Sequence, residues 1–122
     1  MNRKVASFLS ICMKAGKIGA GERVCEIALR NGSARLVILA GDASGNTKKK
    51  FEQKTFYYRV PLLTVGTKDE ISRCIGKENR AVFVITDESL AGNVIRIVKG
   101  DENDRKGVNA WDESARNREK VQ

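Results

Sequence analysis

Two five-residue stretches, Leu36-Val37-Ile38-Leu39-Ala40 and Ala81-Val82-Phe83-Val84-Ile85, are apolar without a break. A strand with one wet face alternates apolar and polar side chains; an unbroken run bounded by turn residues suits a strand covered on both faces. Two such strands demand apolar material above and below a sheet, so the intervening chain must supply helices for two outer layers.

The remaining sequence meets that demand. Val5, Phe8, Leu9 and Cys12 share a face at helical spacing, and Ala15-Gly16 ends that helix. A short extended piece at Lys17-Ile18 precedes a second helix, Glu22 to Arg30, with Val24, Cys25, Ala28 and Leu29 inward and Asn31-Gly32 as its stop. A third helix is expected from Lys48 onward, after the loop Gly41–Thr47. Pro61 opens a strand over Leu62 to Val65, where its missing N–H is tolerated. Thr67 and Glu70 form a capping box for a helix carrying Ile71, Cys74 and Ile75, closed by Gly76. Thr86-Asp87 caps a last helix running to about Ile97. The order predicts an α/β domain, a three-layer α-β-α sandwich around a small sheet, over residues 1–100. Residues 101–122 are polar and read as a mobile tail, with a short helix near Trp111.

Charge points to the partner. The net charge is +8, but residues 101–122 hold five basic and six acidic side chains, leaving 18 against 9 in residues 1–100. The positive field therefore belongs to the folded body, which favours an anionic partner. The three cysteines are widely spaced, in no CxxC pair, and on apolar stripes, as suits reduced thiols in the cytoplasm rather than disulfides or a metal site. No apolar run is long enough to span a membrane.

Catalytic equipment is sparse. With no histidine, the commonest general base and transition-metal ligand are missing. Asp87-Glu88 suit a helix start rather than a paired acid and base. Gly19-Ala20-Gly21 carries only half of a dinucleotide fingerprint, and Gly41 to Lys48 fails the spacing of a phosphate-binding loop. No cofactor and no metal are expected, and the chain reads as a non-enzyme.

Three basic clusters flank glycine-containing loops: Lys14, Lys17 and Arg23 around Gly19 and Gly21; Lys48, Lys49 and Lys50; and Lys77 with Arg80. Small residues let a phosphate backbone approach, and helix starts offer unpaired N–H groups. Read as the first turn of the third helix, the three consecutive lysines oppose its dipole by roughly 0.3–1 kcal/mol each. A local fault of this kind tends to mark function. Among the aromatics, Phe51 and one of Tyr57 and Tyr58 are expected in the core, with stacking on bases open to the other tyrosine.

Lys14-Ala-Gly-Lys17, Gly21-Glu22, Asp42-Ala-Ser-Gly-Asn-Thr-Lys-Lys-Lys50, Tyr57-Tyr58, Val60-Pro61 and Ile75-Gly76-Lys77 follow one another in an order and spacing that resembles the bacterial YlxQ family. That family belongs to the ribosomal protein L-seven-Ae superfamily of kink-turn binders, and the resemblance covers roughly residues 1–98. It implies a four-stranded mixed sheet and binding to kinked RNA helices in a ribosomal context. It also implies RNA contact at the start of the second helix, through Gly21, Glu22 and Arg23, and at the loop before the last strand. The superfamily motif at that helix reads Gly-x-Asn-Glu-x-x-Lys. Anchored on Gly19, it keeps Glu22 and puts Gly21 and Cys25 at the Asn and Lys positions. Anchored on Gly21, it puts Arg23, Val24 and Ile27 at the Asn, Glu and Lys positions. The loop Gly76 to Arg80 lacks the apolar residues that relatives set against an extruded base.

The leading expectation is a monomeric, cytoplasmic, non-catalytic protein that binds structured RNA, ribosomal RNA above all, and neither DNA nor membrane. A protein-interaction scaffold of the same fold is the alternative, and a fragment of an RNA-modifying enzyme ranks third. Truncation after Gly100 is expected to leave the melting temperature within a few degrees. A large drop in a thermal melt would place the boundary elsewhere.

Overall fold

The computed structural model describes residues 1–101, so the expected tail and the helix near Trp111 lie outside the described residues. Its elements are α1 (Arg3–Lys14), β1 (Ile18–Ala20), α2 (Glu22–Arg30), β2 (Leu36–Ala40), α3 (Gly45–Tyr58), β3 (Leu62–Val65), α4 (Lys68–Cys74), β4 (Val82–Ile85) and α5 (Glu88–Asp101). The four strands form one sheet in the order β1-β4-β2-β3. Strand β4 runs antiparallel to both its neighbours, while β2 and β3 are parallel. The sheet is thus mixed and the expected sandwich is present.

Every residue of β2 and β4 is buried, as the unbroken apolar runs require. Alternate side chains enter different cores. Leu36, Ile38, Ala40, Phe83 and Ile85 pack with α1, α4 and α5; Val37, Leu39, Val82 and Val84 pack with α2 and α3. The pleat of two strands therefore divides five helices into layers of three and two.

Several local expectations are corrected. Strand β1 occupies Ile18–Ala20 instead of Lys17-Ile18, β4 starts at Val82, and α5 runs four residues past Ile97 to Asp101. Helix α3 starts at Gly45, three residues earlier than Lys48, because Ser44 Oγ accepts the Thr47 N–H at 3.1 Å and caps it there. The three lysines consequently occupy the second turn, where the dipole penalty is weaker. Val24 is 44% exposed. It lies over Gly19, where an added Cβ would sit 2.6 Å from Val24 Cγ1. Neither tyrosine is in the core: the inward stripe of α3 is Thr47, Phe51 and Thr55, leaving Tyr57 78% and Tyr58 38% exposed. Buried Thr55 is satisfied by donating to the Phe51 carbonyl at 2.7 Å.

Ser72 on α4 fastens the connection from α4 to β4. It is 2% exposed; its Oγ accepts the Arg80 N–H at 3.0 Å and donates to the Arg80 carbonyl at 3.3 Å. Ser72→Ala strands both partners and is expected to cost about 1–3 kcal/mol in chemical denaturation. Amide exchange should accelerate over residues 76–80 more than in β2. Unchanged stability would remove Ser72 from the supports of this loop.

Candidate nucleic-acid interface

Strand directions decide which basic clusters meet. Because β4 is antiparallel to β1 and β2, its beginning lies beside their ends: Ala20 pairs with Phe83 and Leu39 with Val82. Gly21 N–H donates to the Val82 carbonyl at 2.8 Å, and Ala40 N–H to the Ala81 carbonyl at 2.9 Å. One rim therefore gathers the starts of α2 and α3 and the loop Gly76 to Arg80. With them come Gly21, Glu22, Arg23, Lys48, Lys49, Lys50, Lys77 and Arg80. Lys14 and Lys17 are not among them. The Lys17 carbonyl receives the Thr86 N–H at 3.0 Å, at the opposite end of the sheet. Four residues of extended chain, roughly 13 Å, separate Lys17 from Gly21.

Gly21 is the hinge of this rim. Its φ of 106° and ψ of 155° fall in a region essentially reserved for glycine. That turn allows β1 to stop and α2 to start without an intervening loop. An added Cβ would also meet the Arg80 side chain, whose Nε lies 3.8 Å and Cδ 3.9 Å away. The Arg80 guanidinium stem thus crosses the start of α2, and its Nη1 donates to the Glu78 carbonyl at 2.6 Å. Asn79, at φ 53°, makes the tight bend between them.

Glu22 is held from the neighbouring helix. Thr47 Oγ1 donates to its Oε2 at 2.9 Å, and Lys50 Nζ reaches its Oε1 at 3.0 Å. Lys50 also bridges to Glu26 Oε2 at 2.7 Å, one turn further along α2. Ser44 Oγ donates to Thr47 Oγ1 at 3.0 Å, so the cap of α3 is continuous with the Glu22 carboxylate. The Lys50 bond, then the Thr47 bond, hold the Glu22 carboxyl below the usual carboxylate range. Glu26 and Glu22 in turn raise the Lys50 ammonium above its ordinary value. Each Glu22 oxygen has a protein partner and keeps a further lone pair for an outside donor.

Sequence reasoning singled out Gly21, Glu22, Arg23, Lys48, Lys49, Lys50, Lys77 and Arg80 of this rim but not Ser44, Thr47 or Glu26, nor that Lys50 serves two carboxylates. Glu22 and Lys50 lie 28 positions apart, on helices whose parallel course only the sheet order determines. The local pattern of the chain carries no sign of it.

The geometry is that of a cationic rim with two helix N-termini, the anchored Glu22 and Glu26 carboxylates and exposed Arg23, Lys49, Lys77 and Arg80. It can take a phosphate backbone and one hydrogen-bond donor group. Nucleophilic chemistry has no support here. Burial pushes the Cys12 thiol up to about 11 and the Cys25 thiol further still, so both stay protonated near neutrality. Among the described residues no group of three or more His, Cys, Asp or Glu could hold a metal ion.

Residues 3–95 match the Ribosomal protein L7Ae/L30e/S12e/Gadd45 family. An Enterococcus faecium protein named RNA-binding protein YlxQ is 38% identical over 98 residues, covering 80% of this chain and 94% of the relative. A Bacillus subtilis protein of the same name is 39% identical over 91 residues, covering 75% and 91%. The structure of a Bacillus halodurans protein of unknown function superposes with a TM-score of 0.77 at 32% identity, covering 80% of this chain and 99% of the other. A Giardia lamblia 15.5kD RNA binding protein shares the fold, with a TM-score of 0.65 at 20% identity over 83% and 89% of the two chains.

The Glu22 network makes a pH-dependent prediction. A carboxyl whose value falls on folding adds stability above its unfolded pKa and loses it as pH drops through the folded one. Lys50→Met should therefore raise the Glu22 titration midpoint, read by carboxyl carbon NMR. Its destabilising effect should be present at neutral pH and fade in acid. An unmoved midpoint would show that Lys50 does not hold Glu22 in solution.

Proposed function

Because the chain belongs to the Ribosomal protein L7Ae/L30e/S12e/Gadd45 family, as a YlxQ-type member, we propose that it is a non-catalytic RNA-binding protein for kinked helices in a translation context. Ribosomal RNA is the first candidate ligand. The reading includes action in the cytoplasm, which suits three free cysteines. It also keeps residues 1–100 as the binding domain.

The observation that carries this reading is the anchored Glu22 within a cationic rim. A carboxylate repels a phosphate backbone, so a surface built for phosphate alone gains nothing from one. Held ionised by Thr47 and Lys50, with spare lone pairs, it can accept from the amino group of a base exposed where a helix is kinked. Arg23, Lys48, Lys49, Lys77 and Arg80 stand around it for phosphate contacts, and Gly21 leaves room for the backbone to approach. Lys50 contributes by positioning Glu22, Lys14 and Lys17 lie outside this rim, and Gly19 admits Val24 at the junction.

The two roles separate experimentally. Glu22→Ala is expected to weaken binding to a kink-turn RNA by about 1–3 kcal/mol, while affinity for a plain duplex changes little. The double change Lys48→Gln with Lys49→Gln should weaken both RNAs and flatten the salt dependence by roughly 0.7–0.9 for each phosphate no longer neutralised. An unaltered ratio between kink-turn and duplex in the Glu22 variant would reduce the site to charge and shape. Absence of RNA binding by the parent protein would leave the scaffold function.

A further inference from the structure

The pole opposite this rim has its own cleft. About 350 Å³ in volume, it is formed where α2 and α3 end and β2 and β3 begin, and Arg30, Arg35, Arg59 and Tyr58 line it. No carboxylate lines it, and none of the described ion pairs involves these three arginines. Arg35 Nη1 donates to the Gly32 carbonyl at 2.8 Å, which holds the guanidinium against the end of α2. Further N–H groups of its fork remain for another acceptor.

Helix C-termini attract cations, and that alone accounts for Arg30. It bears on Arg59 as well, but not on that residue's backbone conformation or on the aromatics. Arg59 caps α3 in the left-handed conformation, at φ 60° and ψ 44°. This is the position where glycine is the unstrained choice, so the side chain is kept despite the backbone. Beside it, Phe56 is 70% and Tyr57 78% exposed, and the Tyr57 and Tyr58 rings meet edge to face at 4.9 Å. Large aromatic side chains left in water next to unpaired guanidiniums are a stacking platform beside phosphate ligands. Acidic proteins and anionic membranes also take such charge, but an unpaired nucleic-acid strand uses both features at once, its phosphates on the guanidiniums and its unstacked bases on the ring faces. Lys17 extends the same end of the sheet, two strands from Arg35: the Lys17 carbonyl receives Thr86 N–H, and Arg35 N–H donates to the Ile85 carbonyl. On the far side the Asp87 carboxylate, engaged in capping α5, limits the surface.

We propose that this pole is a second RNA-binding surface, taking an unpaired strand with its phosphates on Arg30, Arg35 and Arg59 and its bases on Tyr57 and Tyr58. The two surfaces lie at opposite ends of the strands, so one protein can hold a kinked helix and a single-stranded segment together. The proposal does not depend on which RNA occupies the first rim.

The test uses the whole chain and a fluorescein-labelled ten-nucleotide oligouridylate, followed by anisotropy with and without saturating unlabelled kink-turn RNA. The oligonucleotide should bind in both cases. Arg30→Gln with Arg59→Gln should lower the salt slope of oligonucleotide binding by roughly 1.4, or 0.7 for each of two phosphates on a single strand. Tyr58→Leu, which keeps an apolar side chain but cannot stack, should weaken it by about fivefold. Kink-turn affinity should be unaffected by all three changes, which also reports that the variants are folded. Should the double variant unfold, Arg30→Gln alone, at an exposed position, is expected to remove half of the slope change. Displacement of the oligonucleotide by kink-turn RNA, or an unchanged slope in a folded arginine variant, overturns the proposal. So does arginine-dependent binding of polyglutamate that equals the oligonucleotide and ignores Tyr58→Leu, which would mark an acidic protein surface. A chain that binds no kink-turn RNA but does bind the oligonucleotide would reject the first rim and leave this one standing; a thermal melt then reports folding.

Discussion

The antiparallel insertion of β4 between β1 and β2 organises the molecule. Its backbone groups close ladders on both sides and its side chains fill both cores. Removing it would split the sheet and both hydrophobic layers together. The same insertion reverses the chain at one end, so that a loop entering β4 lands beside two helices leaving β1 and β2. The site is thus a by-product of strand direction. Parallel placement of β4 would send that loop to the other pole and leave Gly21 and Glu22 without Arg80.

What could be read from the chain was whatever is local or periodic. Continuous apolar runs identified β2 and β4, and the Thr67–Glu70 box identified the start of α4, where both reciprocal bonds are present. The basic clusters were visible as residue types beside glycines, and the family resemblance brought the four-stranded mixed sheet with it. Errors arose where tertiary geometry overrides a local pattern. Val24 looks inward on a helical wheel, yet it lies half-exposed over the bare backbone of Gly19. One of Tyr57 and Tyr58 looks like core by composition, yet two threonines and a phenylalanine take the inward stripe of α3. Lys14 and Lys17 are close to Gly19 in sequence, but an extended strand carries the chain away faster than any other conformation.

The Glu22 network is assembled from two helices. On either alignment, the lysine of the superfamily motif is replaced on α2 itself, by buried Cys25 or by exposed Ile27. A lysine from α3 reaches the carboxylates instead, and Thr47 adds a hydroxyl from the same helix. Both helices start from the same rim and run side by side, so a cation one and a half turns into α3 comes level with the first turns of α2. Glu22 is thus charge-compensated between two helices, which couples α2 and α3 mechanically at the rim.

The sheet order also determines how this protein can assemble. Its exposed borders are β1 and β3, only three and four residues long. Pro61, immediately before β3, has no N–H to offer a neighbouring strand. So little unpaired backbone gives another polypeptide no template for adding a strand, in a native complex or in an aggregate. Among the described residues, assembly through these sheet borders is therefore disfavoured, and the domain is spared the commonest accident of β structure.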